Sequence, residues 1–428
     1  MTSAVSMGLR AASLGGKLAL SLYMAKFFSL AELGRYGLAF GAVMLAVVAF
    51  GFRLDYVLSR EVLSLDDRES RRIGTTILWI FLFSFLAGAP FAFWAMKHLA
   101  TDGSSAPYLL LVYLLCCVEA YANYLYTTTI ALKRASLANG LFFIRSGLWT
   151  APAMAVSFFV PSLRNVGFVL ACWLAGVTIS VVLNLWFTRE RLIGRFRWSE
   201  LAWSEANSYV HRAFLVWIGS VGVTLGAYVD RFILANYMTL SDVGIATFYL
   251  SFATSVLTLV QSATTTVTFP ILIEHYDRGD HGQYGRELRK TTIVAALLAA
   301  AILVPLAVGM PFVARAMGKP ALVASYMAFL ILLLATWIRI NAETLYYALF
   351  VHRQHREIWL GNLLFLVAAF GLNVLLIPRF GLNGLAIAAL IAATGLLAWR
   401  GLFTLRHNPD GRDDQAPWLG ADQGLVDQ

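Results

Sequence analysis

Five basic side chains stand inside otherwise apolar stretches of the chain: Lys17, Arg53, Arg145, Arg231 and Arg339. A cation in mid-membrane costs at least about 2.5 to 3.5 kcal/mol, so it needs a polar path or an anionic partner. Lys17 is the most telling, since it lies about eight residues from the nearer end of its stretch, or about 12 Å at 1.5 Å per residue. Gly15 and Gly16 before it permit a bend or a close helix contact. Three acids accompany the cations: Glu119, the deepest; Asp230, beside Arg231; and Glu343, one turn after Arg339. Arg and Lys suit an anionic ligand, which makes the five cations candidate substrate-binding residues and the three acids candidates for coupling or gating. An interfacial anchor is the bland alternative for Arg53 and Arg145, and a solvated helix end for Asp230 and Arg231. Arg339 and Glu343 have the i, i+4 spacing that lets a helix neutralise its own pair. No phosphate-cradling GxxxxGK[ST] pattern is present, and the seven histidines lack paired metal spacing. The expectation is no catalytic residue, no metal and no cofactor.

The elements that carry these residues follow from composition. With 59% hydrophobic and 13% charged residues and a mean hydropathy of +0.70, a soluble globule would lack polar surface to cover itself. A membrane span needs roughly 20 mostly apolar residues, and that rule places segments near 9–28, 35–58, 74–97, 106–132, 141–160 and 165–188. A second set falls near 210–236, 245–272, 291–313, 321–350, 358–377 and 384–404. The expected fold class is an all-α polytopic membrane protein of about twelve transmembrane helices. With the N-terminus inside, 21 Lys and Arg fall on the inner side and seven on the outer; basic loops stay cytoplasmic, which places both termini there. The same basic loops account for the net charge of +9 without nucleic acid as a partner. Cys116, Cys117 and Cys172 lie within spans, two of them adjacent, which argues against a disulfide framework.

The halves repeat each other. Ala25 to Gly34 reads AKFFSLAELG and Ala235 to Gly244 reads ANYMTLSDVG, identical at alanine, leucine and glycine and conservative at Ser29/Thr239 and Glu32/Asp242. Pro161 and Gly167 match Pro378 and Gly384, while Ala122, Leu125 and Tyr126 match Ala342, Leu345 and Tyr346. Copies of six spans share one orientation, so a pseudo-twofold should run along the membrane normal, with substrate handled between the lobes. The expected division is an N-terminal lobe 1–188, a basic cytoplasmic linker 189–209, a C-terminal lobe 210–405 and a polar, disordered cytoplasmic tail 406–428. The third match sets Glu119 opposite Arg339, so these two are expected to meet across the lobes in one conformation.

The opening LGGKLALSLYMAKFFSLAELGRYGLAF, the end of the second span with Arg60 and Glu61, and the closing NVLLIPRFGLNGLAIAALIA from Asn373 resemble the polysaccharide exporters. These are the O-antigen type flippases of lipid-linked oligosaccharides, in the superfamily that also holds the multidrug and toxin extruders. The resemblance is one of pattern and hydropathy over nearly the whole chain to about residue 405. It implies export of an undecaprenyl-pyrophosphate-linked oligosaccharide across a bacterial inner membrane, for cell-surface polysaccharide and exopolysaccharide synthesis, by alternating access. The implied partners are that lipid, the surrounding membrane lipids and a polysaccharide polymerase, with H+ or Na+ coupling left open. The physics agrees: unassisted flipping must strip water from a pyrophosphate and several sugars at once. An inside-negative potential contributes about 2.3 kcal/mol per charge per 100 mV toward expelling the anion.

Three other readings compete, the first a lipid II flippase of the related peptidoglycan branch, which would have fourteen spans, two more than counted here. A multidrug or toxin extrusion antiporter would share the fold, but it resembles this chain less at the first span, where Lys17 favours an anion over a cationic drug. A membrane glycosyltransferase or polysaccharide polymerase would want acids or bases on a sizeable outer loop, and the outer connections here are short.

Overall fold

The computed structural model describes residues 2–52, 67–99, 106–192 and 203–406. Among these it is entirely helical. The N-terminal half contains α1 (Thr2–Phe27), α2 (Leu30–Gly51), α3 (Asp67–Leu99), α4 (Ala106–Ala131), α5 (Ala135–Phe143), α6 (Thr150–Phe159) and α7 (Val166–Leu192). A π-helical turn, Ile144–Leu148, joins α5 to α6, so the two form one rod. The C-terminal half contains α8 (Trp203–Tyr237), α9 (Leu240–Ala263), α10 (Thr265–Asp277), α11 (His281–Ala316), the short α12 (Pro320–Ala324), α13 (Tyr326–Val351) and α14 (His355–Arg406). Eight helices among the described residues are long and apolar enough to cross a membrane.

Gly381, at φ 55° and ψ −129°, breaks α14 into two arms. The arms fold back on each other: Trp399 Nε1 donates to the Glu357 carbonyl at 2.9 Å, and Arg400 reaches Asn362. Counting those arms separately, and α5–α6 and α9–α10 as one rod each, gives six rods per half among the described residues. The protein is therefore an all-α polytopic membrane protein built as two six-helix lobes.

Several boundaries differ from the hydropathy reading. The second span was expected at 35–58, whereas α2 starts at Leu30, because Ser29 caps it by accepting from the Glu32 amide at 3.2 Å. Thr239 and Asp242 form the full reciprocal capping box that starts α9. The repeated ten-residue motif is thus a helix-start signal used twice. Helix α1 begins near residue 2, so Lys17 stands about fifteen residues into it and not eight. Helices α7 and α8 extend into both ends of the expected linker, and residues 193–202 lie outside the described residues, as do 407–428 of the expected tail.

The lobes meet mainly through α2, which packs on α8 and α9, and through α1 on α9. The closest approach is glycine on glycine. A Cβ on Gly34 would lie 2.1 Å from the Leu240 carbonyl oxygen, and one on Gly244 would lie 1.9 Å from that of Leu30. These contacts are reciprocal, because each residue and its counterpart are 210 positions apart. They mark the pseudo-twofold. At the same end, Lys319 Nζ donates to the Phe28 carbonyl at 2.8 Å across the lobes. One end of the seam is therefore sealed by backbone contact.

Candidate functional site

One to two turns in from the glycine contact, the seam is lined by aromatic rings from both lobes. Phe40 on α2 stacks on Trp173 of α7, with centroids 5.6 Å apart, and meets Tyr228 of α8 edge-on at 5.9 Å. Trp149 stacks on the far side of Trp173 at 6.0 Å. Gly41 leaves room for this contact, since a Cβ there would come within 3.2 Å of Phe232 on α8. The rings form a continuous wall from the N-terminal lobe to the C-terminal one, and cations sit along it.

Lys17 reaches this wall from α1, with Nζ 5.7 Å from the Phe40 centroid. Its helix can come so close to the π-turn because of small residues: a Cβ on Gly16 would touch Thr150 Oγ1 at 2.8 Å, and one on Gly147 would touch Ser13 Cα at 2.8 Å. Gly15 faces open space, so close packing falls to Gly16 alone. Glu119 and Arg145 both lie within electrostatic reach of the ammonium.

Arg145 occupies the π-turn itself. Turns of this kind are rare and recur at functional sites. Its Nε donates to Glu119 Oε2 at 2.5 Å, and both side chains are buried. Its carbonyl accepts from Trp149 Nε1 at 3.0 Å. Arg145 is thus no interfacial anchor: it is the buried partner of Glu119.

Arg231 is the most exposed to energetic argument. It is 5% accessible, and its Nε and Nη1 have no hydrogen-bond partner. Its guanidinium lies over the Tyr228 ring at 5.1 Å. Asp230 is adjacent in sequence; its carboxylate accepts from the Arg231 backbone amide at 2.7 Å and lies within electrostatic reach of the guanidinium, whose Nε and Nη1 it does not hydrogen-bond. Arg231 is buried and Asp230 half-buried at the seam, about two turns inside the end of α8 and not at a solvated helix end.

On α13, Arg339 and Glu343 form the expected i, i+4 pair, at 3.8 Å. The Arg339 guanidinium also lies 5.0 Å from the Phe365 ring on α14. Sequence reasoning missed the third member, Arg400, which read as one more basic residue at a cytoplasmic end. It is 2% accessible, ion-pairs with Glu343 at 3.2 Å, donates to the Ala342 carbonyl at 2.9 Å and to Asn362 at 3.0 Å, and covers the Tyr346 ring. The available signal was its position on the last apolar stretch, within one turn of Trp399. The aromatic wall was also missed, because no spacing in sequence brings Phe40, Trp173 and Tyr228 together.

The structure therefore brings Lys17, Arg145 and Glu119 into one group and Arg231, Asp230 and Arg339 into a second, on either side of the Phe40–Tyr228 contact. The expected meeting of Glu119 with Arg339 is not formed in this conformation: each is held by a partner in its own lobe. Arg53 lies outside the described residues.

No family model matches the sequence, and no curated protein matches it. Solved structures do. The chain aligns with an inward-facing multidrug resistance MATE family transporter of the MOP superfamily at a TM-score of 0.74 and 13% identity, over 92% of this chain and 94% of that one. It aligns with the lipid II flippase MurJ in an inward closed conformation at 0.70 and 12%, over 94% and 87%. A MOP superfamily transporter from Pyrococcus furiosus, described as having a binding pocket of reversed polarity, aligns at 0.60 and 12% over 94% and 95%. The fold is the one shared by these transporters and this flippase.

Proposed function

We propose that this chain flips an undecaprenyl-pyrophosphate-linked oligosaccharide from the cytoplasmic to the outer leaflet of a bacterial inner membrane, for cell-surface polysaccharide synthesis. The observation that carries the proposal is the buried guanidinium of Arg231 beside the aromatic seam, two of whose nitrogens lack hydrogen-bond partners, with the Lys17 ammonium on the other side of the Phe40–Tyr228 contact. Buried donors without hydrogen-bond partners are costly, and an anionic head placed in the seam would accept from them. Five cations, Lys17, Arg145, Arg231, Arg339 and Arg400, face three acids, Glu119, Asp230 and Glu343. The excess of two equals the charge of a pyrophosphate diester. The ring wall offers flat faces for sugars, as Tyr and Trp do at mixed polar and apolar surfaces.

The distribution of basic loops supports a sealed glycine end that faces outward and termini that face inward. A polysaccharide polymerase is the natural partner on the outer side, and Asp230, Glu343 or Glu119 could couple an ion. The likeness to a MATE transporter supports a second reading, an antiporter for cationic drugs, but Glu119 and Glu343 are already occupied by arginines.

The test is reconstitution in liposomes with a short-sugar undecaprenyl-pyrophosphate, comparing wild type, Lys17→Ala and Arg231→Gln. Transfer should fall at least about tenfold in each variant. Undiminished transfer, or efflux of organic cations in its place, would overturn the proposal.

A further inference from the structure

We propose that one face of α9, a row of hydroxyls at Thr247, Ser251, Thr254, Ser255, Thr258 and Ser262, reads the sugars of the transported lipid while the cations hold its pyrophosphate. This rests on the flippase reading and names the groups that recognise the glycan. Helical intervals of three and four residues place the row on one side of α9. The same side carries Gly244, whose missing Cβ admits the Leu30 carbonyl of the N-terminal lobe. Thr247 comes next and meets that lobe as well: a Cβ on Gly37 would lie 2.0 Å from Thr247 Oγ1. The opposite side, with Tyr249 and Phe252 against Phe329, packs within the C-terminal lobe. The row therefore looks across the seam, not toward lipid. Further along α9 its cover is lost, and Thr254, Thr258 and Ser262 are exposed.

The hydroxyls are set for one kind of partner. Ser251 donates to the Thr247 carbonyl at 2.8 Å, Thr254 to that of Leu250 at 2.7 Å and Ser255 to that of Ser251 at 2.7 Å. Thr258 donates to the Thr254 carbonyl at 2.8 Å and Ser262 to that of Thr258 at 2.7 Å. Their protons are spent on their own helix, so what the row offers outward is lone pairs. An anion brings no proton to such a surface and a hydrocarbon gains nothing from it. Sugar hydroxyls are donors on every ring, and acceptors at helical spacing serve several of them in succession. Thr247, at the sealed end, differs: it is 6% accessible and its Oγ1 has no hydrogen-bond partner. A buried hydroxyl left unsatisfied is costly, and separation of the lobes at Gly37 would free it as the next rung.

The internal repeat shows that the fold does not demand these hydroxyls. At the offset that relates Gly34 to Gly244, the N-terminal lobe has Gly37, Gly41, Met44, Leu45, Val48 and Phe52. None bears a hydroxyl, although α2 is the counterpart of α9 about the pseudo-twofold. Depth agrees with the assignment. Measured inward from the sealed end at 1.5 Å per residue, Lys17 lies about 20 Å from Leu30 and Thr258 about 21 Å from Gly244. Helices α1 and α9 pack together, so the ammonium stands near the level of Ser255 and Thr258. A lipid whose pyrophosphate sits by Lys17 thus lays its sugars along the row.

The experiment compares two lipids in liposomes holding the full-length protein: bare undecaprenyl pyrophosphate, and the same lipid bearing a short chain of N-acetylglucosamine. In the combined variant Thr254→Val, Thr258→Val, Ser262→Ala, transfer of the glycan-bearing lipid should fall about tenfold, while that of the bare lipid stays within about twofold of wild type. Thr258→Val alone should show the same split at about threefold, and Thr254→Ser with Thr258→Ser, which keeps the hydroxyls, should show none. Both lipids meet one protein preparation, so a folding defect lowers both together and cannot produce the split. Equal loss on the two lipids in Thr258→Val, or no loss on either, would overturn the inference. Where wild type moves neither lipid the flippase assignment falls, and where it moves only one the split is lost. In both cases saturation-transfer NMR of free chito-oligosaccharide on the protein in nanodiscs reads the row directly: the signal should fall in the combined variant, and an equal signal in variant and wild type would overturn the sugar row.

Discussion

Adding one methyl group at Gly34 should pry the sealed end apart. Its Cβ would sit 2.1 Å from the Leu240 carbonyl oxygen, where ordinary contact begins near 3.4 Å, so about 1.3 Å of separation is missing. Gly244→Ala is short by about 1.5 Å against the Leu30 oxygen. The obstructing atoms are backbone in the first turn of the facing helix, so no rotamer change relieves them. The lobes must move. Overpacking of a well-fitted contact costs about 1 to 3 kcal/mol, which shifts the sealed population by about 5- to 150-fold. Both substitutions force the same separation, so the double variant should cost less than the sum of the singles. Spin labels at Phe159 and Phe380, exposed positions on opposite lobes, should report a longer distance in either variant. Gly15→Ala serves as the control, with nothing within 4 Å of its Cβ, and should leave the distribution unchanged. Identical distance distributions in wild type, Gly34→Ala and Gly244→Ala would refute the idea that these glycines set the closure.

Two further predictions concern the buried ion pairs. Glu119→Gln leaves Arg145 buried without a counter-charge and should destabilise the protein by about 3 to 5 kcal/mol, read as a loss of Tm in detergent. The exchange Glu119→Arg with Arg145→Glu should recover most of that loss, whereas Glu119→Arg with Arg339→Glu should not, because the structure pairs Glu119 within its own lobe. In the C-terminal lobe the two arginines on Glu343 should separate by phenotype. Arg400→Ala, at 2% accessibility with three polar contacts, should cost stability, while Arg339→Ala, with its side chain 31% accessible, should keep Tm and reduce transport.

The bundle was legible in the sequence because its cause is local: long apolar stretches must be helical where no water can satisfy the backbone. The repeat was legible too, since Ser29 with Glu32 and Thr239 with Asp242 are capping pairs that act within four residues. What the sequence hid is whatever depends on rotation about a helix axis. Arg145 looked like a boundary residue, but the π-turn at Ile144–Leu148 places it in the interior, against a glutamate 26 positions earlier. Arg400 looked like one of many cytoplasmic arginines, and only the reversal at Gly381 brings it onto Asn362 and Glu343. The pairing of Glu119 with Arg339 rested on the repeat offset, which fixes equivalence between lobes but not which side chains a local partner has already claimed.

The halves agree where backbones touch and differ where charge sits, and the division has a physical logic. A carrier that rocks about its pseudo-twofold needs matched surfaces at the axis, and Gly34 with Leu240 and Gly244 with Leu30 supply them reciprocally. The lipid-linked ligand proposed above has no twofold symmetry, so a seam that received it would have no reason to keep any. The N-terminal lobe neutralises Glu119 with Arg145 and adds Lys17; the C-terminal lobe neutralises Glu343 with Arg400 and Arg339 and adds Arg231 beside Asp230. Each lobe thus serves its own deep acid first and leaves a cationic surplus at the seam. If that surplus draws the anion, the fall of transport with rising salt should be shallower in Lys17→Ala and in Arg231→Gln than in wild type, since each has lost part of the attraction that salt screens. A variant with lost transport but unchanged salt dependence would mean that its cation shapes the seam without drawing the ligand in.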